Sequence, residues 1–92
     1  MTQRIEKKLL IKNKLGLHAR AATKLVMLVN KFDAEVMIEH QGKSASAASV
    51  MGLLMMETCM GQEIQVVAEG DEAQQALDAV ESLINDRFDE NE

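Results

Sequence analysis

Glu63-Ile64-Gln65-Val66-Val67-Ala68-Glu69-Gly70-Asp71 is the stretch on which the fold turns. Ile64, Val66 and Ala68 fall on one side of an extended segment, the period of a half-buried strand. Gly70 stops that strand. Asp71 is a good helix N-cap, and Gln74 stands three positions on, as in a capping box. Ala73, Ala76, Leu77, Val80, Leu83 and Ile84 then recur at helical spacing and predict an amphipathic helix. A strand handed directly to a helix sets the frame for the rest of the chain.

Working toward the N-terminus, Gly61 separates this unit from a short helix predicted from Val50 to about Met56, with Ser49 as N-cap. Val50, Met51, Leu53, Leu54, Met55 and Met56 crowd most of its circumference, so it is either buried or partly offered to a partner. Gln41-Gly42 reads as a turn between two strands, Ala34 to His40 and Lys43 to Ser46. Val36 and Ile38 share a side of the first. Ala19 to about Asn30 is a helix with Ala22, Leu25, Val26 and Val29 on its apolar face, and Ile5 to Ile11 is an opening strand. The tail from Asp86 to Glu92 reads as frayed, with Phe88 able to pack back. The order β-α-β-β-α-β-α implies an α+β fold: a four-stranded antiparallel sheet with three helices on one face. No proline and no linker-like run interrupts the chain, so residues 1–92 are expected to form a single domain.

Hydrophobic residues make up 47% of the chain, but Phe32 and Phe88 are its only aromatics, so Leu, Ile, Val, Ala and seven Met must fill the core. The formal net charge of −5 and the lack of Tyr and Trp argue against a nucleic-acid binder. Charge is also unevenly spread. Residues 1–31 hold Arg4, Lys7, Lys8, Lys12, Lys14, Arg20, Lys24 and Lys31 against Glu6 alone, whereas residues 69–92 hold nine acids against Arg87. Such polarity would steer an acidic partner to the basic side, or simply mark two solvated surfaces. With one cysteine no internal disulfide can form, and no apolar run suits a membrane span or a signal peptide. A cytoplasmic monomer is expected.

The basic segment contains His18, within Gly16-Leu17-His18-Ala19-Arg20. If the helix starts at Ala19, His18 is its N-cap. Its ring then stands where unpaired backbone N–H groups and the positive end of the helix dipole converge. A neutral imidazole nitrogen is a competent nucleophile near pH 7. A phosphoryl group on it would meet the Ala19 backbone, the Gly16 loop and the Arg20 guanidinium, whose planar fork fits phosphate oxygens. Contacts of about 1.5–3 kcal/mol each would hold the group without trapping it. The plainer alternative is that His18 and Arg20 only cap a helix.

Other candidates are weaker. His40 is expected at the surface beside its turn, and Cys59 as a small, partly buried side chain. Ser49 could accept a phosphate but is more simply a cap. Met51, Met55 and Met56 could fill the core or form an adaptable docking patch. No Walker loop, dinucleotide fingerprint or zinc pattern occurs, so neither metal nor cofactor is expected.

Gly16-Leu17-His18-Ala19-Arg20-Ala21-Ala22 resembles the active-site stretch of the histidine-containing phosphocarrier proteins (HPr) of bacterial phosphotransferase systems. The similarity continues through Gly42-Lys43-Ser44-Ala45-Ser46-Ala47-Ala48-Ser49 and covers essentially the whole chain. Asn13-Lys14-Leu15-Gly16-Leu17-His18, Lys31-Phe32-Asp33-Ala34-Glu35-Val36 and Phe88-Asp89-Glu90 are similar to the nitrogen-related branch of that family. The resemblance implies an open-faced β-sandwich. It also implies a relay from a phosphoenolpyruvate-charged enzyme I-type donor to an enzyme IIA-type acceptor. The phosphoryl group would sit on the δ1 nitrogen of His18, with Arg20 as phosphate-binding arginine and Ser49 at a position some relatives use for regulation. Ala21 stands where the family usually has proline, which removes a preset first-turn backbone but no reactive group. Three other readings compete. They are a sugar-system HPr, a small regulatory ligand-binding module on a similar fold, and a hydrolase using His18 or Cys59.

Overall fold

The computed structural model describes residues 2–89 of the chain. Strand β1 (Gln3–Leu10) is followed by helix α1 (Ala19–Val29), strands β2 (Glu35–His40) and β3 (Lys43–Ser46), helix α2 (Val50–Met55), strand β4 (Glu63–Gly70) and helix α3 (Ala73–Asn85). A 3₁₀ turn at Arg87–Asp89 closes the described chain. The four strands form one antiparallel sheet in the order β1-β4-β2-β3. β4 therefore lies between β1 and β2, and β1 and β3 are the edges. This is the open-faced β-sandwich with the element order the sequence implies.

Strand alternation decides which face is covered. Leu9 of β1, Val36 and Ile38 of β2, Ala45 of β3, and Ile64, Val66 and Ala68 of β4 are buried. α3 packs against β1, β4 and β2, α2 packs against β3, and α1 lies against both other helices. Ala21, Ala22, Leu25 and Val29 of α1 meet Ala73, Ala76, Leu77, Val80 and Ile84 of α3 in the common core. The β2–β3 turn is set by Gln41 (φ 48°) and Gly42 (φ 80°), the two left-handed residues a type I′ hairpin requires.

Several expectations are corrected. α3 does not start on an Asp71 cap: its N-cap is Glu72, without a side-chain cap bond. Glu72 instead accepts the Asp33 N–H (2.7 Å) and donates its own N–H to the Asp33 carbonyl (2.9 Å), so a tie to the loop before β2 sets where the helix begins. His40 is not a surface residue. It shares the inward side with Val36 and Ile38, is buried, and its Nδ1 lies 3.1 Å from the Glu63 carbonyl. Cys59 is exposed rather than partly buried. Met56 belongs to the core, while Met51 and Met55 are each 70% exposed.

The tail is ordered as far as Asp89, and residues 90–92 of it lie outside the described residues. Phe88 is wholly buried, at the cost of left-handed backbone at Arg87, Phe88 and Asp89. Lys24 of α1 donates to the Phe88 carbonyl at 2.7 Å and so fastens the turn to the body.

Candidate functional site

The loop leaving β1 is anchored before it reaches His18. Ile11 is fully buried and extends the pairing beyond the strand: its N–H donates to the Gln62 carbonyl (2.9 Å), and its carbonyl accepts from Gly61 (2.8 Å). Asn13, also fully buried, then closes a tight turn. Its Nδ2 donates to the Gly16 carbonyl at 2.7 Å, and its own carbonyl accepts the Gly16 N–H at 3.3 Å. The Gly16 carbonyl takes a second bond from the His18 N–H at 3.0 Å.

Gly16 has two reasons to be glycine. Its φ is +66°, and a Cβ there would lie 2.2 Å from the Thr58 carbonyl oxygen. The segment between α2 and β4 is thus pressed directly against the loop that carries the histidine. Thr58 is buried, and its hydroxyl has no hydrogen-bond partner among the described residues.

His18 is the N-cap of α1, in extended backbone (φ −81°, ψ 178°). Its carbonyl accepts the first helical bond, from Ala22 at 2.8 Å. Its side chain does not cap the helix. The amides of the first turn therefore face outward without that occupant, and they are the donors an anion uses at a helix start. Ala19 and Arg20 are exposed in this turn, and His18 is half-buried. Ala21 and Ala22 are buried against the core, so the turn is held from behind. No acidic residue occurs in α1, and Lys12, Lys14, Arg20 and Lys24 flank the histidine in sequence, so the local field favours a bound anion.

His18, Arg20, the Ala19 backbone and the Gly16 loop are therefore gathered at one helix start, as the sequence implies. Ser49 is engaged elsewhere as N-cap of α2, where its Oγ accepts from the Gly52 N–H at 3.0 Å. Buried Asn13 and Thr58 adjoin Gly16 in a way sequence reasoning did not foresee, because nothing in a periodic pattern marks a buried polar residue in a loop. The Cys59 thiol approaches the Glu57 carbonyl at 3.8 Å, a backbone acceptor that does not activate a nucleophile. His40, the other imidazole, lies in the sheet next to Glu63. No group of three or more metal-ligating side chains occurs among the described residues.

An open anion-receptive helix start on a β-α-β-β-α-β-α scaffold defines a class: small phosphocarriers. The comparisons agree with that class. The family described as "PTS HPr component phosphorylation site" matches residues 5–86, and the chain belongs to this HPr family of the phosphotransferase system. It is 54% identical over 87 residues to phosphocarrier protein NPr of Shewanella violacea, covering 95% of this chain and 96% of that one. It is 48% identical over 82 residues to phosphocarrier protein NPr of Escherichia coli K12, covering 88% and 91%. The crystal structure of an HPr from Thermoanaerobacter tengcongensis superposes with a TM-score of 0.91 at 35% identity, over 96% of this chain and 99% of that one. Proteins of this family carry a phosphoryl group and are not catalysts. Family membership thus takes the place of the ligand-binding and hydrolase readings. No helix among the described residues is long and apolar enough to cross a membrane.

Proposed function

We propose that His18 is the phosphoryl acceptor of this carrier, working through Nδ1 between an enzyme I-type donor and an enzyme IIA-type acceptor. The observation that carries this is the position of His18 as an N-cap whose side chain leaves the first-turn amides of α1 uncapped. The lone pair of Nδ1 forms the N–P bond as the donor's bond to phosphorus breaks, while the ring proton stays on Nε2. The phosphoryl oxygens then accept from the first-turn N–H groups, and Arg20 supplies a planar cation beside them. Transfer onward reverses these steps toward the acceptor.

Partners dock around this site. Leu15, Met51, Met55 and Met60 are exposed apolar side chains on the loop before α1, on α2 and on the segment after it. Met-rich surfaces suit successive partners because they repack cheaply. The similarity to NPr proteins supports the nitrogen-related branch over the sugar branch.

Incubation with phosphoenolpyruvate and either the nitrogen-branch or the sugar-branch enzyme I, followed by intact-mass measurement, tests both parts. One acid-labile phosphoryl group is expected, gained faster from the nitrogen-branch donor and absent in His18→Ala. An unchanged mass with both donors refutes the carrier role of His18, and faster charging by the sugar-branch enzyme refutes the branch.

A further inference from the structure

We propose that Asn13 is a positioning residue of the phosphoryl site, its carboxamide orienting the helix start that presents His18. The inference rests on the reading of His18 as acceptor. An amide with no exposure costs free energy unless its groups are bonded. The Asn13 Nδ2 group has such a bond, and the oxygen that receives it is shared with His18. The Gly16 carbonyl oxygen receives both Asn13 Nδ2 (2.7 Å) and the His18 N–H (3.0 Å). The peptide between Gly16 and Leu17 is therefore fixed from the Asn13 side, and His18 is fixed to the same oxygen.

Gly16 cannot retreat from this arrangement, because the Thr58 carbonyl stands against its Cα. Leu17, between the two bonded residues, is buried and resists rotation. An aliphatic residue at position 13 would fill the same space without the desolvation cost, but it could not aim a carbonyl. The polar choice is explained by orientation. Asn13 is buried, and the apolar residues available to partners are exposed, so its loss should disturb chemistry rather than docking.

Asn13→Ala and Asn13→Asp, compared with the unmodified chain, test this. With enzyme I and phosphoenolpyruvate, Asn13→Ala should lower kcat for phosphoryl acceptance about tenfold or more and leave KM within about twofold, since misplacing a reacting group by about 1 Å costs up to about 10²-fold. Hydrogen exchange of the His18 amide should quicken while the amides of α3 stay protected. At alkaline pH the carboxylate introduced by Asn13→Asp has no proton to donate. Once protonated, it can donate to the Gly16 carbonyl, and burial raises the pH at which it does so. Transfer by Asn13→Asp should therefore recover as the pH falls to mildly acidic values, relative to Asn13→Ala at each pH.

A wild-type kcat in Asn13→Ala overturns the proposal. So does a uniform fall in melting temperature with neither a kcat-specific loss nor acid recovery in Asn13→Asp, because that is a purely structural role. Should Asn13→Ala not fold, Asn13→Asp across pH carries the test. If the unmodified chain takes no phosphoryl group, the functional reading fails separately, and unchanged His18 amide exchange in the variants would still overturn the positioning role.

Discussion

Gly16→Ala should damage the site more than its single methyl suggests. Two costs act together. At φ +66° an L-residue costs about 1–2 kcal/mol relative to glycine. The new Cβ would also lie 2.2 Å from the Thr58 carbonyl oxygen, inside the 3.0 Å floor of real Cβ contacts, and that neighbour is backbone that cannot swing aside. Relief requires the two loops to part by about 0.8 Å, the gap between that distance and the floor. Parting them strains the bonds between Ile11 and the Gly61–Gln62 backbone, at about 0.5–1.5 kcal/mol each.

The expected loss is about 3 kcal/mol, or about 12–24 °C in melting temperature for a chain of this size. Because His18 hangs from the Gly16 carbonyl, phosphoryl acceptance should fall further than stability explains, by up to about 10²-fold for a displacement near 1 Å. Gly42→Ala is the control. Its φ of +80° carries the backbone cost, but nothing lies within 4 Å of its Cβ, so it should lose only about 1–2 kcal/mol and transfer normally. Thermal unfolding followed by circular dichroism, with enzyme I-dependent labelling below each transition, reads both effects. Equal melting points and equal labelling for the two variants would refute the reasoning.

Phe88→Ala removes the largest wholly buried side chain and should cost about 3–5 kcal/mol by chemical denaturation, although it lies in a terminal turn; a loss under about 1 kcal/mol would mean the tail detaches readily. Ser49→Ala deletes the α2 cap and should cost about 1 kcal/mol in the same assay, with Ser49→Asp retaining more stability than Ala. Thr58→Val should be neutral or stabilising by about 1 kcal/mol, since the buried hydroxyl it removes has no hydrogen-bond partner among the described residues; destabilisation beyond that would expose a bond to the hydroxyl. Arg20→Ala should change stability by no more than about 0.5 kcal/mol, the residue being exposed, and slow transfer or shift the phosphoryl equilibrium; unchanged kinetics would remove Arg20 from the site.

Much of this was legible in the chain. The Val36-Ile38 and Ile64-Val66-Ala68 alternations fix which sheet face is covered, and the α1 and α3 repeats place those helices against it. The same alternation carries His40 inward, two residues beyond Ile38; its place at the strand end beside a turn had suggested the surface. By contrast, the α3 start depends on the Asp33–Glu72 tie, which joins residues 39 apart and outweighs a local Asp71 signal. The helix-start histidine and its neighbouring arginine were legible because cap positions have local chemistry. Asn13 and Thr58 were not: the Asn13 bond to Gly16 spans only three residues, but no hydrophobic pattern marks it, and Thr58 meets Gly16 only where two loops come together. Ser49 was read correctly as a cap for the same local reason His18 was.

Among the described residues, the order β1-β4-β2-β3 leaves β1 and β3 each without a strand partner along one side. A protein whose work is repeated brief encounters is exposed to mispairing at such borders. β1 carries the cations Arg4, Lys7 and Lys8 with Glu6 among them, Arg4 tied to Glu6 and Lys7 to Glu81, charged groups that a strand laid alongside would have to desolvate, and β3 is only four residues long, too short to template a neighbour. Replacing those three cations with Val or Thr would leave the carrier site intact and turn this border into a nucleus for aggregation.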